Sequence, residues 1–273
     1  MQAEELLKEG KLSEALESLQ GQARAEPAEA KHRIFLFQLL SVLGQWDRAF
    51  KQLRLCGQLD PSALAMVHTY SDAVQCELLR ERVFAGERSP LIFGEPQAWI
   101  AELSEALKLD AGGDSGAAEE MRARAFDSAE ATGGEMNGEA FDWIADGDSR
   151  LGPVLEAVIG GSYYWVPFTC IACVQIEAPE DLRDLVWTPA YVTWSNGGES
   201  AALIPTRYAG TAAVEDDDLR LARRTEWTDL AGDYYAGVGQ RMIITNSGEY
   251  PLLEIREIRS SSAKESPAGA ARE

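Results

Sequence analysis

Histidine is scarce in this 273-residue chain, with only His32 and His68. General acid–base catalysis draws on imidazole more than on any other side chain. Neither histidine stands near a serine, cysteine or carboxylate in a spacing that reads as a triad. Cysteine is scarce too, at four residues, too few for a disulfide framework in a chain of this size. The CxxC string Cys170-Ile171-Ala172-Cys173 lacks the second ligand pair that a zinc site needs. On a strand its thiols, three residues apart, face opposite sides, so it is expected to be structural. Positive charge is also in short supply: 25 Lys and Arg against 45 Asp and Glu leave a formal net charge of −20. That potential repels phosphate backbones and anionic headgroups, so no nucleic acid and no membrane is expected as a partner. The longest apolar run, residues 34–43, is broken by Gln38 and Ser41 and is too short to span a bilayer. The first residues carry no basic segment and no apolar signal core, which makes the cytoplasm the expected compartment. No GxxxxGK[ST] occurs, and Gly160-Gly161 and Gly197-Gly198 do not follow the strand–GxGxxG–helix order. No nucleotide, metal or other cofactor is expected, and no catalytic residue is nominated.

What the chain does have is a repeat. Gly10, Leu12, Ala15, Leu19 and Pro27 fall on Gly44, Trp46, Ala49, Leu53 and Pro61 at an offset of 34 residues. This is the tetratricopeptide period, a helix–turn–helix unit that buries its apolar face only by stacking on a neighbour. Glycine suits the turn, alanine the close approach of two helices, and proline the start of the next unit. The register breaks after two units, because a third turn glycine is due near Leu78, inside a helical run that Asp60-Pro61-Ser62 opens. Gly113 and Ala118 repeat the glycine-to-alanine spacing, and a degenerate helix pair is expected over 97–130. Residues 85–96, with two Pro and two Gly, read as a loop.

Composition changes at Gly133-Gly134. Val, Ile, Thr, Tyr and Trp then gather in short runs punctuated by turn residues, which reads as strand. Strands are expected within 162–176 (bent at Pro167), 185–187, 191–194, 201–205, 240–245 and 252–259. Ser195-Asn196-Gly197-Gly198-Glu199 is a hairpin turn. Helices are expected at 152–159 and 217–224. The expected fold is α+β in two parts: a tetratricopeptide-like all-α region over 1–132, then a mainly antiparallel bent sheet or partial barrel with a few helices over 139–259. Residues 260–273, rich in Ser, Ala and Glu, read as a disordered tail.

Asp142, Asp146 and Asp148 fail the calcium-loop spacing and read as turn caps with a salt bridge to Arg150. The dense aromatics of the second half divide between core and an exposed groove, where aromatics and arginine concentrate binding energy. Its arginines, Arg207, Arg220, Arg223, Arg224 and Arg241, either pair with Glu215 to Asp218 and Glu226 or hold carbonyls or a carboxylate of a partner.

Several long strings resemble the ImpE family, also called TagJ, of type VI secretion accessory proteins. They include Glu4-Glu5-Leu6-Leu7-Lys8-Glu9-Gly10, Phe35-Leu36-Phe37-Gln38-Leu39-Leu40 and Asp142-Trp143-Ile144-Ala145-Asp146-Gly147-Asp148. Tyr163-Tyr164-Trp165-Val166-Pro167-Phe168, Ile204-Pro205-Thr206-Arg207-Tyr208 and Arg220-Leu221-Ala222-Arg223-Arg224 belong with them. The resemblance reaches from the first residues to about position 258. It implies a cytoplasmic, non-catalytic adaptor that binds the small sheath subunit through that subunit's N-terminal helix and is linked to the AAA+ ATPase that recycles the sheath. On this reading a partner helix lies in an aromatic-lined groove, with Tyr163, Trp165, Trp187, Tyr191 and Trp194 as anchors and Arg207 and Arg223 as clamps. A concave helical face bearing Phe35, Leu39 and Trp46 is the competing location. Two alternatives belong to other classes: a small-molecule-binding or hydrolase-like domain built on Asp142, Asp146 and Arg207, and a purely structural sheath or baseplate component.

Overall fold

Three of the four helix boundaries of the two repeat units coincide at the 34-residue offset: Lys8 with Val42, Leu12 with Trp46 and Ala25 with Leu59. The computed structural model describes residues 2–261. Helices α1 (Gln2–Lys8) and α2 (Leu12–Ala25) form the first unit, α3 (Ala30–Val42) and α4 (Trp46–Leu59) the second. Gly10 and Gly44 sit between them at φ +73° and +64°. At each, the chain closes with paired backbone bonds, Lys11 N to Leu6 O (2.8 Å) and Gln45 N to Leu40 O (2.9 Å). That is the left-handed helix stop that only glycine adopts without strain. Ala15 and Ala49 are fully buried, as the close approach of paired helices requires.

Asp60 then accepts from Ser62 N at 2.9 Å, a 3-10 turn follows at Pro61–Ala63, and α5 (Leu64–Phe84) runs unbroken through Leu78. The degenerate pair is present as α6 (Ala98–Ala111) and α7 (Ser115–Ser128). Gly113 lies at φ +82° and the Asp114 carboxylate accepts from Ala117 N at 3.2 Å.

Between α5 and α6 the expected loop contains a short strand, β1 (Leu91–Ile92). The second half holds β2 (Gly134–Met136), β3 (Glu139–Phe141), β4 (Ile144–Asp146), β5 (Val154–Ile159), β6 (Ser162–Pro167), β7 (Ile171–Ile176), β8 (Trp187–Trp194) and β9 (Glu199–Pro205). After these come α8 (Asp217–Arg220), β10 (Thr225–Asp229), β11 (Tyr235–Gly239), β12 (Met242–Thr245), β13 (Gly248–Pro251) and β14 (Glu257–Ser260). Nine strands form one sheet in the order β1-β6-β5-β9-β8-β7-β14-β2-β3. Its pairings are antiparallel apart from β1 with β6. The sheet is open, ending on β1 and β3, and does not close into a barrel.

The expected helix over 217–224 ends at Arg220, and the expected strand over 252–259 opens as a 3-10 turn at Leu252–Glu254 with only Glu257 onward in a strand. Other expectations also need correction. Residues 152–159 were expected as helix, yet 154–159 are strand β5, placed between β6 and β9. An apolar run buried on both faces has the same local signature in either form. Residues 185–187 and 191–194 belong to no pair of strands: β8 spans Trp187–Trp194 while Leu185 ends a 3-10 turn. Ser260, assigned to the tail, pairs with Gly134 in β14; the rest of the expected tail, from residue 262, lies outside the described residues.

Alternation along the strands sorts side chains into two cores. Val154, Val158, Tyr163, Trp165, Trp187 and Leu203 join the helices in one apolar cluster. Leu155, Ala157, Val166, Val192, Trp194 and Ile204 line the opposite face of the sheet in a second cluster. The helical half is therefore packed onto the sheet, and β1 hydrogen-bonds into it.

Candidate partner-binding groove and the junction that shapes it

Arg207 and Arg223 do hold backbone carbonyls, but those of their own chain. Arg223 Nη2 donates to Leu7 O (2.8 Å) and Lys8 O (3.0 Å). Arg207 Nη1 donates to Val42 O (2.8 Å) and Nη2 to Ser41 O (3.3 Å). Leu7 and Lys8 become Ser41 and Val42 when shifted by 34 residues, so the two arginines grip equivalent points of successive repeats. Each grips the C-terminal carbonyls of the first helix of a unit, where the backbone leaves unpaired acceptors and negative partial charge. Opposite polarity is met in the same way. Helix α2 has no side-chain cap of its own at Lys11, and Leu12 N donates to Asp217 Oδ2 at 3.0 Å. Asp217→Ala should therefore lower stability by about 1 kcal/mol, read from the urea midpoint, with faster amide exchange in the first turn of α2. Unchanged exchange there would show that this contact does not cap the helix.

Beneath these contacts lies a buried ionic network. Glu156, at the centre of β5, accepts from Arg80 Nε at 2.7 Å and Nη2 at 2.9 Å, and from Arg241 Nη2 and the Tyr163 hydroxyl. Arg241 also binds Asp146, and Arg80 binds Glu77 at 3.3 Å. All five charged groups are buried. Burial raises the Glu156 carboxyl, but Arg80 and Arg241 outweigh it and leave the group at about 2. For Asp146 burial prevails over Arg241 and the carboxyl is pushed up to about 7. Such a network holds α5, β5, β4 and the segment before β12 in one arrangement, because a buried charge without its partner is costly.

This junction absorbs most of the aromatic residues nominated as anchors. Tyr163, Trp165 and Trp187 are fully buried: Trp165 Nε1 donates to the Tyr163 hydroxyl at 2.8 Å and Trp187 Nε1 to Glu77 at 3.1 Å. Trp187 also stacks obliquely on Trp46 and Tyr70 with ring centroids 6.0 and 5.7 Å away. Trp194 is buried on the far face against Phe93, its centroid 4.0 Å away. Only Tyr191 of the five is exposed, its hydroxyl donating to Glu199 at 2.7 Å. Tyr163, Trp165 and Trp187 are internal joints between helices and sheet and Trp194 belongs to the core on the opposite face, which corrects the assignment of all four to an open groove. The residues of the hydrolase-like alternative are also dispersed: Asp142 bonds Asn246, Asp146 bonds Arg241, and Arg207 ends α3. Asp148 does receive Arg150 Nε at 2.8 Å, the expected salt bridge.

A groove of about 1090 Å³ lies elsewhere. One wall comes from the helices, with Leu7 of α1 and Ile34, Phe35 and Gln38 of α3; the other comes from residues 179–182 and Leu185 of the sheet half. Lys31, Ile34, Phe35 and Gln38 are spaced as one helical stripe. Ile34, Phe35, Leu182 and Leu185 are only half-buried. Phe35 was named for the competing helical face; Leu39 and Trp46, named with it, are buried. Leu182 and Leu185 lie in a string, residues 181–187, that shares the family resemblance, but nothing along the chain marks them as groove residues. Their 3-10 turn is locked by a capping box between Asp181 and Asp184, with Asp181 N donating to Asp184 Oδ2 at 2.8 Å.

Residues 138–259 match the model of the ImpE protein family. A relative from Pseudomonas aeruginosa, the type VI secretion system accessory component TagJ, is 52% identical over 258 residues, which cover 94% of this chain and 90% of that protein. The crystal structure of protein VPA1032 from Vibrio parahaemolyticus superposes with a TM-score of 0.88 at 25% identity, covering 95% of this chain and 97% of that one. The family match takes in the sheet side of the groove, and the alignment with the Pseudomonas protein is long enough to include α3 as well.

Proposed function

This chain belongs to the ImpE/TagJ family of type VI secretion accessory proteins, and from that premise we propose that it is a cytoplasmic, non-catalytic adaptor that seats the N-terminal helix of the small sheath subunit in the groove between α1, α3 and the 179–185 turn. Through that grip it links the contractile sheath to the AAA+ ATPase that recycles it. The observation carrying this reading is the groove, whose apolar floor is assembled from both halves of the chain. At about 1090 Å³ it lies at the upper end of ligand sites, and Leu7, Ile34, Phe35, Leu182 and Leu185 give it an apolar floor that suits the apolar face of an amphipathic helix. The buried carboxyl groups Asp146 and Glu156 are both held by Arg241.

The test is co-purification with the small sheath subunit, intact and lacking its first helix. Retention of the intact subunit alone is expected; equal retention of both would remove the helix from the reading. Phe35→Glu places a charge on the groove floor and should cost about 2–4 kcal/mol of binding with an unchanged circular dichroism spectrum.

A further inference from the structure

Gln38 is out of place on the groove floor. It interrupts the apolar run of α3, is 5% exposed, and lines the groove beside Phe35 and Leu182. Ser41, the other polar residue of that run, turns back to donate to Phe37 O at 2.9 Å. Among the described residues no group of the chain bonds the Gln38 amide. Buried amides are nearly always paired, and one that faces a groove can meet water while the groove is open. An apolar helix laid over it would strip that water and leave two donors and an acceptor unsatisfied, whereas a polar side chain at that point would bond it. A single buried Asn in a coiled coil sets register by the same physics.

The rim adds a second requirement. Glu4, Glu26, Glu180 and Asp181 line the groove against Lys31 and His32; His32 is 2.7 Å from Glu26 and Arg183 pairs with Asp181. This is an acidic border on a molecule whose formal charge is already −20.

Resting on the groove reading above, we propose that the site selects an amphipathic helix with basic flanks and one polar side chain within its apolar stripe, and that this side chain pairs with Gln38 and sets the register of the bound helix. Gln38 is thus a specificity-determining residue, and the rim carboxylates attract and orient the same occupant.

Synthetic 20-residue helical peptides with an all-Leu stripe and Lys flanks test this against the full chain by fluorescence anisotropy. In a matched series one stripe Leu is replaced by Asn, at each position in turn. One Asn position should bind about tenfold tighter than the all-Leu peptide, and Gln38→Leu should reverse that order. Glu-flanked versions should bind more weakly, with the gap closing at high salt. If every Asn position binds no better than Leu, or the preference survives in Gln38→Leu, the register pin is overturned while the groove reading stands. If flank sign has no effect, the charge requirement is overturned. If none of the peptides and no first helix of the sheath subunit binds, the groove reading falls and this inference falls with it.

Discussion

Glu156→Gln should cost the fold about 3–5 kcal/mol at neutral pH, the usual consequence of breaking a buried ion pair from one side. The side chain keeps its shape, so cavity effects are small. What changes is that Arg80 and Arg241 lose the carboxylate they share, and Arg241 retains Asp146 alone. The pH dependence separates this electrostatic loss from a packing defect. In the folded chain Glu156 titrates near 2, against 4.5 for an unperturbed glutamate. A depressed carboxyl contributes stability that is complete above the unfolded value and is lost as the pH falls through the folded one. The difference corresponds to about 3 kcal/mol. Urea midpoints of the two proteins should therefore lie far apart at pH 7 and converge between pH 4.5 and 2. A gap that persists unchanged at pH 2.5 would mean that the glutamine fails for steric reasons and that the network carries little of the stability.

Gly44→Ala should be the second large loss, and Gly113→Ala its control. Both glycines turn the chain between paired helices at positive φ, and each alanine would carry about 1–2 kcal/mol of left-handed strain. Only Gly44 has a neighbour in the way: a methyl there would stand 2.5 Å from the Cβ of Ala212, whereas nothing lies within 4 Å of the same methyl at Gly113. Ala212 Cβ is fixed to the backbone and cannot rotate aside, so overpacking adds about 1–3 kcal/mol. Thermal or urea denaturation should rank Gly44→Ala well below Gly113→Ala. Adding Ala212→Gly should restore part of the deficit in the first and none in the second. Equal losses in the two single variants would mean that the turn at Gly44 does not press on Ala212.

Whatever repeats or alternates locally was legible from the chain. The 34-residue offset marked Gly10 and Gly44 as turns and Ala15 and Ala49 as contact points. The Asn196-Gly197 hairpin and the bend at Pro167 stood out because turn chemistry is local. Residues 152–159 misled for the same reason: periodicity reports that a segment is buried without saying whether a helix or a central strand buries it. The same limit governed the site. Aromatic density showed that the second half carries much ring surface, but nothing along the chain said that Trp165 and Trp187 would be spent against α5 and Trp46. Arg207 and Arg223 were expected to clamp a partner, yet the carbonyls they hold lie 165 and 216 residues away in their own chain, and Arg223 also pairs with Asp218. Gln38 looked like an interruption of an apolar run until α3 met the 179–185 turn across an open groove.

By itself, then, the amino-acid order determined the repeat, the two-part α+β division and the family, since all three are written in short-range spacing or in long matching strings. The tertiary structure alone decided which rings are core, what the arginines hold and that an open groove lies between α3 and the 179–185 turn. Those outcomes depend on which surfaces meet across a hundred residues or more, and no local pattern encodes such a meeting.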